Sequence, residues 1–373
     1  MYSLLVPGFM DGGIVFLQTA MPLLAVRLGA SVMLLGTIGM VAQAVRLPIC
    51  FTSGHLSERL GRAAICVPAA CLCALGCGFL GLAKSNAQVM VLYTFAIASF
   101  GAFYPPLQAM IGDVSERGQL RKNLGMFNVG WCVGGAVTAL GARWLIGAGL
   151  ASLFYVAAGM NLLAGMLVLT WRRGATRRPV ASDAPESEPG DDYGSLLLVA
   201  RMGHFISFYG YGTIRILFPK VAISQLHWSE ATVATVVAQL LVGLGAGILV
   251  CNAAPWWRGK LWPLVMAQLV MCACAASVLW TRTPVLVGAA FFGFGVAQST
   301  VYTSALYYGL SGRKDRGKNA GIHESLVAAG GISGCLFGGI VAQKIALSAP
   351  FGLLACLAGA CVVATVVIRR YGR

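Results

Sequence analysis

Charged side chains are scarce in this chain: Asp, Glu, Lys and Arg together make up only 10% of its residues. Soluble globular domains carry about 25%, so the composition excludes an ordinary water-soluble fold. Segments with strict polar–apolar alternation are also missing, which argues against a transmembrane β-barrel. In their place the chain has apolar runs of about 20 residues, each long enough to cross a bilayer as a helix. These runs predict an all-α polytopic membrane protein.

Motifs for catalysis and for ATP-driven pumping are absent as well. There is no Gly-x-x-x-x-Gly-Lys-Ser/Thr phosphate loop. His323-Glu324 is followed by Ser325 and no second histidine, so the His-Glu-x-x-His zinc motif is not formed. The twelve cysteines lie in or beside apolar spans, where they are interpreted as small apolar filler. We therefore predict a protein that is not an enzyme and holds neither a metal nor a cofactor.

The apolar runs predict twelve membrane spans. Met1-Tyr2-Ser3-Leu4 has no basic n-region and no cleavage site, so the first run is predicted to be a retained helix. The spans are predicted near residues 3–26, 32–52, 65–83, 89–111, 124–145, 150–171, 195–221, 230–251, 262–281, 285–309, 320–342 and 349–368.

The basic residues set the orientation. The net charge is +15, and with the N-terminus inside, the cytoplasmic segments hold roughly three times as many Lys and Arg residues as the outer segments. The basic excess thus reflects topology and predicts no nucleic-acid partner. Both termini are predicted to be cytoplasmic. We expect a multi-pass protein of the plasma membrane, or of the inner membrane in a Gram-negative bacterium.

The chain divides into two similar halves. Residues 173–194 are charged and rich in proline, which predicts a cytoplasmic linker. It separates six spans in residues 1–172 from six in residues 195–373. Lys122-Asn123-Leu124-Gly125 opens span five, and Lys318-Asn319-Ala320-Gly321 opens span eleven at the matching position. A parallel repeat of this kind is common in secondary transporters, whose solute site lies between the halves.

The segment Gly54-His55-Leu56-Ser57-Glu58-Arg59-Leu60-Gly61-Arg62 joins spans two and three. It resembles the signature loop of the major facilitator superfamily (MFS), Gly-x-Leu-x-Asp-Arg-x-Gly-Arg. Gly54, Leu56, Arg59, Gly61 and Arg62 match, and Glu58 stands where the family has Asp. The resemblance implies two pseudo-symmetric six-helix bundles with twelve transmembrane helices.

The resemblance also implies contacts for this loop. Glu58 would meet the start of span eleven, and Arg62 would pair with Asp113 at the end of span four, so that both contacts stabilise the outward-open state. The alternative is a solvated loop that only sets topology.

Ionisable residues inside spans are costly and therefore functional candidates. Asp11 and Arg46 are predicted at similar depth, as a static pair or as a proton-coupling group. His323 and Glu324 lie near the cytoplasmic end of span eleven. Glu324 either reaches Arg46 and helps to close a gate, or is a hydrated helix-end carboxylate.

Polar stripes identify a candidate solute cavity. Span seven carries His204, Phe208, Tyr211 and Arg215 on one helical face. The resemblance implies that spans one, four, seven and ten line the cavity. The candidate cavity residues are Gln18, Tyr104, Gln108, His204, Tyr211, Arg215, Gln298 and Tyr302.

These features predict secondary active transport of a small organic solute by alternating access in a monomer. The predicted coupling is to protons, through Asp11 or Glu324 with His204 or His323 assisting, and the candidate coupling residues are Asp11, Arg46, His323 and Glu324. Asp11 with aromatic cavity residues favours export by a drug- or metabolite–proton antiporter. Arg46 with Arg215 favours the alternative, uptake or exchange of an anionic metabolite. A transporter-like receptor or scaffold that moves nothing is the alternative from another class.

Overall fold

The computed structural model describes residues 1–115, 120–174, 194–310 and 316–371. Over these residues the chain forms helices and no strand. The helices are α1 Tyr2–Arg27, α2 Val32–Leu60, α3 Arg62–Leu80, α4 Asn86–Val114, α5 Leu120–Gly147, α6 Leu150–Gly174, α7 Gly194–Gly212, α8 Phe218–Ser224, α9 Glu230–Ala253, α10 Trp262–Ser277, α11 Pro284–Leu310, α12 Arg316–Lys344 and α13 Ala349–Tyr371.

A π-helical segment, Thr213–Leu217, joins α7 to α8, so the described residues form twelve continuous helical stretches. Ten helices among them are long and apolar enough to cross a membrane. The predicted all-α polytopic membrane fold is confirmed.

The π-helical segment has a local cause in Pro219. Proline has no backbone N–H and its ring crowds the carbonyl four residues earlier, which here belongs to Arg215. The backbone N–H of Phe218 donates to the carbonyl of Thr213, five residues back. The helix therefore widens at Arg215 instead of breaking, and such π-bulges are frequent at functional sites.

The structure corrects the prediction that the signature segment is a loop, because most of this segment is helical. Span two was predicted to end near residue 52, but α2 continues to Leu60 and only Gly61 separates it from α3. Gly61 has φ of +98°, in the left-handed region that glycine adopts without strain. Hydropathy marks only the apolar part of α2, and the polar residues that follow contain no helix breaker.

The chain forms two compact units. Unit 1 comprises Met1–Ala30 and Val41–Pro185, and unit 2 comprises Ser31–Met40 and Glu186–Arg373. The domain boundaries at 172 and 195 stay a prediction, and residues 175–193 of the proposed linker lie outside the described residues.

In each unit, glycines on one helix pack against the backbone of a second helix, and we call this contact the glycine seam. In unit 1, a Cβ on Gly134 of α5 would lie 2.7 Å from the Cα of Gly8 in α1. In unit 2, a Cβ on Gly330 of α12 would lie 2.6 Å from the carbonyl oxygen of Phe205 in α7. Small residues allow such close backbone approach between membrane helices. Both seams occupy matching positions of the sequence repeat.

Backbone conformation repeats in the same way. Gly29 follows α1 with φ +79°, and His227 occupies the matching place after α8 with φ +55°. Gly61 and Gly259, with φ of +98° and +67°, form a second pair, one after α2 and the other after α9. Left-handed turns thus recur at corresponding points of both units.

Candidate functional site

The signature segment is held to α4 by Arg62. Its Nε donates to Asp113 Oδ2 at 3.1 Å, and its Nη1 donates to Ser57 Oγ at 2.9 Å. Ser57 is buried and donates in turn to the carbonyl of Gly54 at 2.7 Å. Arg62 therefore connects the end of α2, the start of α3 and the end of α4. The ion pair implied by the family resemblance is present, and Ser57 is a partner that the sequence did not identify.

Glu58 and Arg59 are exposed at the end of α2. Neither side chain is needed for the contacts that Arg62 makes. The predicted contact of Glu58 with the start of α12, and the role of the segment as a gate, stay predictions.

We expect the Arg62–Asp113 pair to contribute little free energy at equilibrium. The side chains are 23% and 51% exposed, and exposed pairs contribute about 0.2–1 kcal/mol. A double-mutant cycle of Arg62→Ala and Asp113→Asn should give a coupling energy of that size from unfolding titrations. The coupling should fall in about 1 M salt, where the Debye length is about 3 Å. A larger, salt-independent value would contradict a solvent-screened pair.

Unit 2 carries an aromatic contact where unit 1 has this ion pair. Between α9 and α10, the buried Trp257 donates from Nε1 to the carbonyl of Cys251 at 2.9 Å. The hydroxyl of Tyr308, at the end of α11, accepts from Gly259 N at 3.1 Å and donates to the Trp257 carbonyl at 3.3 Å. The Arg258 guanidinium carbon lies 4.9 Å from the centre of the Tyr307 ring. The sequence did not identify this contact, because no motif links positions so far apart.

Replacing Tyr308 with phenylalanine should destabilise the protein by about 1–3 kcal/mol. The change removes one hydroxyl and leaves the Gly259 N–H and the Trp257 carbonyl without that partner, a cost typical of buried polar groups. The half-exposed Tyr155 provides the control Tyr155→Phe, which should be near neutral. Thermal unfolding of both variants measures the difference, and equal unfolding temperatures would contradict a structural role for the Tyr308 hydroxyl.

Asp11 lies on α1 inside unit 1, with its Oδ2 atom buried and without a hydrogen-bond partner. Arg46 on α2 makes no ion pair with it among the described residues. Arg46 instead donates to Gln43 Oε1 at 3.3 Å and lies 5.3 Å from the centre of the Phe100 ring. Arg46 is nevertheless the charged group that acts electrostatically on Asp11. Arg46 and Asp11 therefore interact electrostatically at a distance and do not form a salt bridge.

The other predicted cavity residues of unit 1 lie on α1 and α4. Gln18 is half-buried and Gln108 is exposed. Tyr104 contacts Phe100, Phe103 and Phe127, and its buried hydroxyl has no hydrogen-bond partner. Tyr104 therefore presents a free polar group within an aromatic cluster.

Arg215 is the most buried charge of the predicted set, at 2% exposure, in the π-helical segment. Nη1 donates to the Tyr211 hydroxyl, and the guanidinium carbon lies 5.2 Å from the centre of the Tyr211 ring. Nε and Nη2 have no hydrogen-bond partner, and Arg215 pairs with no carboxylate of the described residues. Buried charged groups in proteins are usually paired, and an anionic group is the partner that a guanidinium binds most strongly.

His204 and His323 meet face to face inside unit 2. Their ring centres are 4.2 Å apart with an interplanar angle of 15°. Tyr302 packs edge-on against both, at 5.6 Å from His204 and 4.9 Å from His323. The sequence identified all three residues but placed them on separate helices. Their contact was not predicted, because hydropathy does not give the packing register of α7 against α12.

Gln298 lies one turn from Tyr302 on α11 and is fully buried, with neither amide atom hydrogen-bonded. Glu324, which follows His323, is exposed. The predicted contact between Glu324 and Arg46 stays a prediction. Unit 2 thus brings together His204, His323 and Tyr302 and leaves Gln298 and Arg215 with unused polar atoms.

Comparisons with known proteins agree with the architecture. The sequence model of one protein family, the Major Facilitator Superfamily, matches residues 4–200. No curated protein sequence matches the chain.

Solved structures match over nearly the whole chain. A bacterial homologue of the human lysosomal transporter Spinster, in an inward-facing and unoccupied conformation, is 14% identical with a TM-score of 0.72, covering 98% of this chain and 94% of that one. The nucleoside transporter NupG is 14% identical with a TM-score of 0.72, covering 98% of both chains. The human organic anion transporter MFSD10 is 14% identical with a TM-score of 0.62, covering 97% and 99%. At such identities these structures establish the fold alone.

The family match covers more than half of the sequence and includes the signature segment. The helices and the structural neighbours agree with the many-span fold of this family. The chain belongs to the Major Facilitator Superfamily of membrane transporters.

Proposed function

We propose that this transporter couples the movement of a small organic solute to protons and works as an exporter, a drug- or metabolite–proton antiporter. The observation that carries the proposal is Asp11, an acidic side chain on a membrane helix with a buried oxygen that has no hydrogen-bond partner. Such a group is costly in the membrane unless it binds a proton or a cation in the transport cycle. A carboxylate that binds a proton in one state of the cycle and releases it in the other couples proton movement to that of the solute.

The aromatic residues of unit 1 support a cationic aromatic solute. The ring of Tyr104 lies among phenylalanine rings and offers a free hydroxyl. Aromatic faces attract cations, most strongly where water is excluded. An organic cation with a planar apolar body therefore fits the proposal better than a sugar does.

The second candidate is proton-coupled uptake or exchange of an organic anion. Arg215 favours it, because two nitrogens of this buried guanidinium, Nε and Nη2, have no hydrogen-bond partner and no carboxylate of the described residues pairs with it. Arg46 in the other unit is half-buried and also leaves Nε without a partner. A receptor or scaffold without transport is the candidate from another class.

Proteoliposomes with opposite pH gradients separate these proposals. Antiport predicts that ethidium added outside accumulates in vesicles with an acidic interior, at least about 10-fold above protein-free vesicles. Uptake predicts that 5-carboxyfluorescein accumulates when the exterior is acidic. Arg215→Gln should abolish only the second activity and Asp11→Asn only the first. Accumulation of neither probe would overturn both proposed solute classes.

The setting of the transporter completes the proposal. We propose a monomer in the plasma membrane, or in the inner membrane of a Gram-negative bacterium, with both termini in the cytoplasm. The distribution of basic residues supports this orientation. Protease accessibility of a tag at either terminus in sealed spheroplasts tests it.

A further inference from the structure

The pair formed by His204 and His323 joins two helices of unit 2. His204 lies on α7 and His323 on α12, and their rings are stacked with centres 4.2 Å apart. The stack is enclosed by Phe208, at 5.1 Å from His204, and by Tyr302, which meets both rings edge-on. The contact therefore depends on the close packing of α12 against α7.

The pair is buried from solutes, but its ring nitrogens are still able to bind a proton. His204 is 0% exposed and His323 is 3% exposed. All four ring nitrogens are buried and have no hydrogen-bond partner. Native structures leave few buried polar groups in this condition, and those that remain call for an explanation. To bind here, a solute would need a cavity that gives it access to the ring nitrogens. A proton needs only one free nitrogen lone pair.

The charged residue that acts on this pair is a cation. Arg201, one turn before His204 on α7, acts electrostatically on His323 and donates to Asn319 Oδ1 on α12 at 2.7 Å. From α11 the facing titratable group is the Tyr302 phenol, and on α12 the carboxylate nearest in sequence is Glu324, whose side chain is exposed. An imidazolium formed here is therefore a buried charge beside another cation, which is unfavourable while the contact stays dry.

From this geometry we propose that His204 and His323 form one proton-binding site whose occupancy is coupled to the packing of α12 against α7. The proton adds to the lone pair of one ring nitrogen. The second ring, stacked at 4.2 Å, stays neutral because two imidazolium ions at that distance repel. This proposal rests on the proposed proton coupling and adds a second proton-binding site, in unit 2, to Asp11 in unit 1.

The site lies beside the glycine seam that lets α7 and α12 approach. Gly330 packs on the backbone of Phe205, and Gly334 packs on that of Tyr209. Phe205 directly follows His204 in the chain. A partial separation of the two helices at this seam admits water to one imidazole, where its charged form is stable, while the second ring stays close enough to remain neutral. Proton binding therefore favours the separated arrangement, and proton release favours the packed arrangement seen here.

Counting protons tests the site without any solute, so a failure here is distinct from a failure of the transport proposal. The chain has four histidines, and potentiometric titration of the purified protein between about pH 8 and pH 4 spans the range in which histidine changes charge. His204→Phe and His323→Phe keep an aromatic ring in the stack. His55→Gln and His227→Gln, both at exposed positions, calibrate the loss for each removed imidazole.

The proposal predicts an unequal pattern of losses. Either single Phe substitution should leave the proton count of the wild type unchanged, because the remaining imidazole binds the shared proton. The double substitution should lower the count by about one proton per molecule. A loss of one proton in each single variant would show two independent sites, and an unchanged count in the double variant would show that neither ring binds a proton. Either result overturns the proposal.

Hydrogen–deuterium exchange gives a second reading that a purely structural role would not produce. In the wild type, lowering the pH from about 8 to about 5 should lower the protection factors, which correct for the pH dependence of intrinsic amide exchange, in the part of α7 and α12 that forms the seam. The double Phe variant should show no such pH response while keeping the same exchange in α3 and α4. A pH response that persists in the double variant would assign the coupling to another group.

Discussion

Gly334→Ala is expected to destabilise the protein by about 2–3 kcal/mol, although alanine is the better helix former. A Cβ at this position would lie 2.8 Å from the carbonyl carbon of Tyr209, and closer still to its oxygen. The added methyl group meets backbone, which cannot rotate away as a side chain can, so α12 must move from α7. Overpacking of this kind typically costs about 1–3 kcal/mol.

Gly321→Ala is the matched control on the same helix. Nothing lies within 4 Å of the position that its Cβ would occupy, so the substitution should stabilise α12 by about 0.5–1 kcal/mol through helix propensity alone. The free energies of unfolding of both variants, from denaturant titration in mixed micelles, give the comparison. Equal effects of the two substitutions would contradict the close packing of α12 against α7.

The second large effect is expected at Asp11. Asp11→Asn keeps the size of the side chain and its place on α1 but removes the group that binds a proton. Antiport driven by a pH gradient should fall at least about 10-fold, whereas exchange of labelled for unlabelled ethidium, which needs no net proton movement, should continue. Separation of these two activities distinguishes a coupling residue from a residue that only supports folding.

Glu230→Gln is the control for loss of an acidic group. Glu230 begins α9 in the other unit, where an acidic side chain stabilises the positive end of a helix by about 0.3–1 kcal/mol. This variant should keep gradient-driven transport. If Asp11→Asn also keeps it, Asp11 does not carry the coupling. If Asp11→Asn loses exchange as well, the residue is needed for the solute site or for the fold.

The fold was predictable because its signals are local. Apolar runs locate the membrane helices without reference to any other part of the chain, and the signature segment identifies the family in nine consecutive residues. Gly130 and Gly134 lie four residues apart on α5, a spacing typical of close helix approach, and the structure supplies their partners in α1. Span two was predicted to end near residue 52, whereas α2 continues for eight more residues to Leu60. Hydropathy falls where a helix leaves the membrane, even if the helix continues.

The candidate site was predictable only residue by residue. The sequence identified His204 and His323 separately, but their stacking depends on the packing register between α7 and α12. The contact of Tyr308 with Trp257 was not predicted at all, since aromatic residues at helix ends are common in membrane proteins. The free N–H groups of Arg215 were equally invisible, because they depend on which neighbours reach the π-helical segment.

The central claim is that this member of the superfamily exchanges protons for a solute. The most direct measurement is the proton flux that ethidium elicits in proteoliposomes, followed with a trapped pH indicator. We predict that ethidium added outside vesicles with an acidic interior raises proton efflux in the wild type, and that Asp11→Asn reduces this response to the protein-free background. A wild-type protein that accumulates ethidium without moving protons, or that moves neither, would contradict the account.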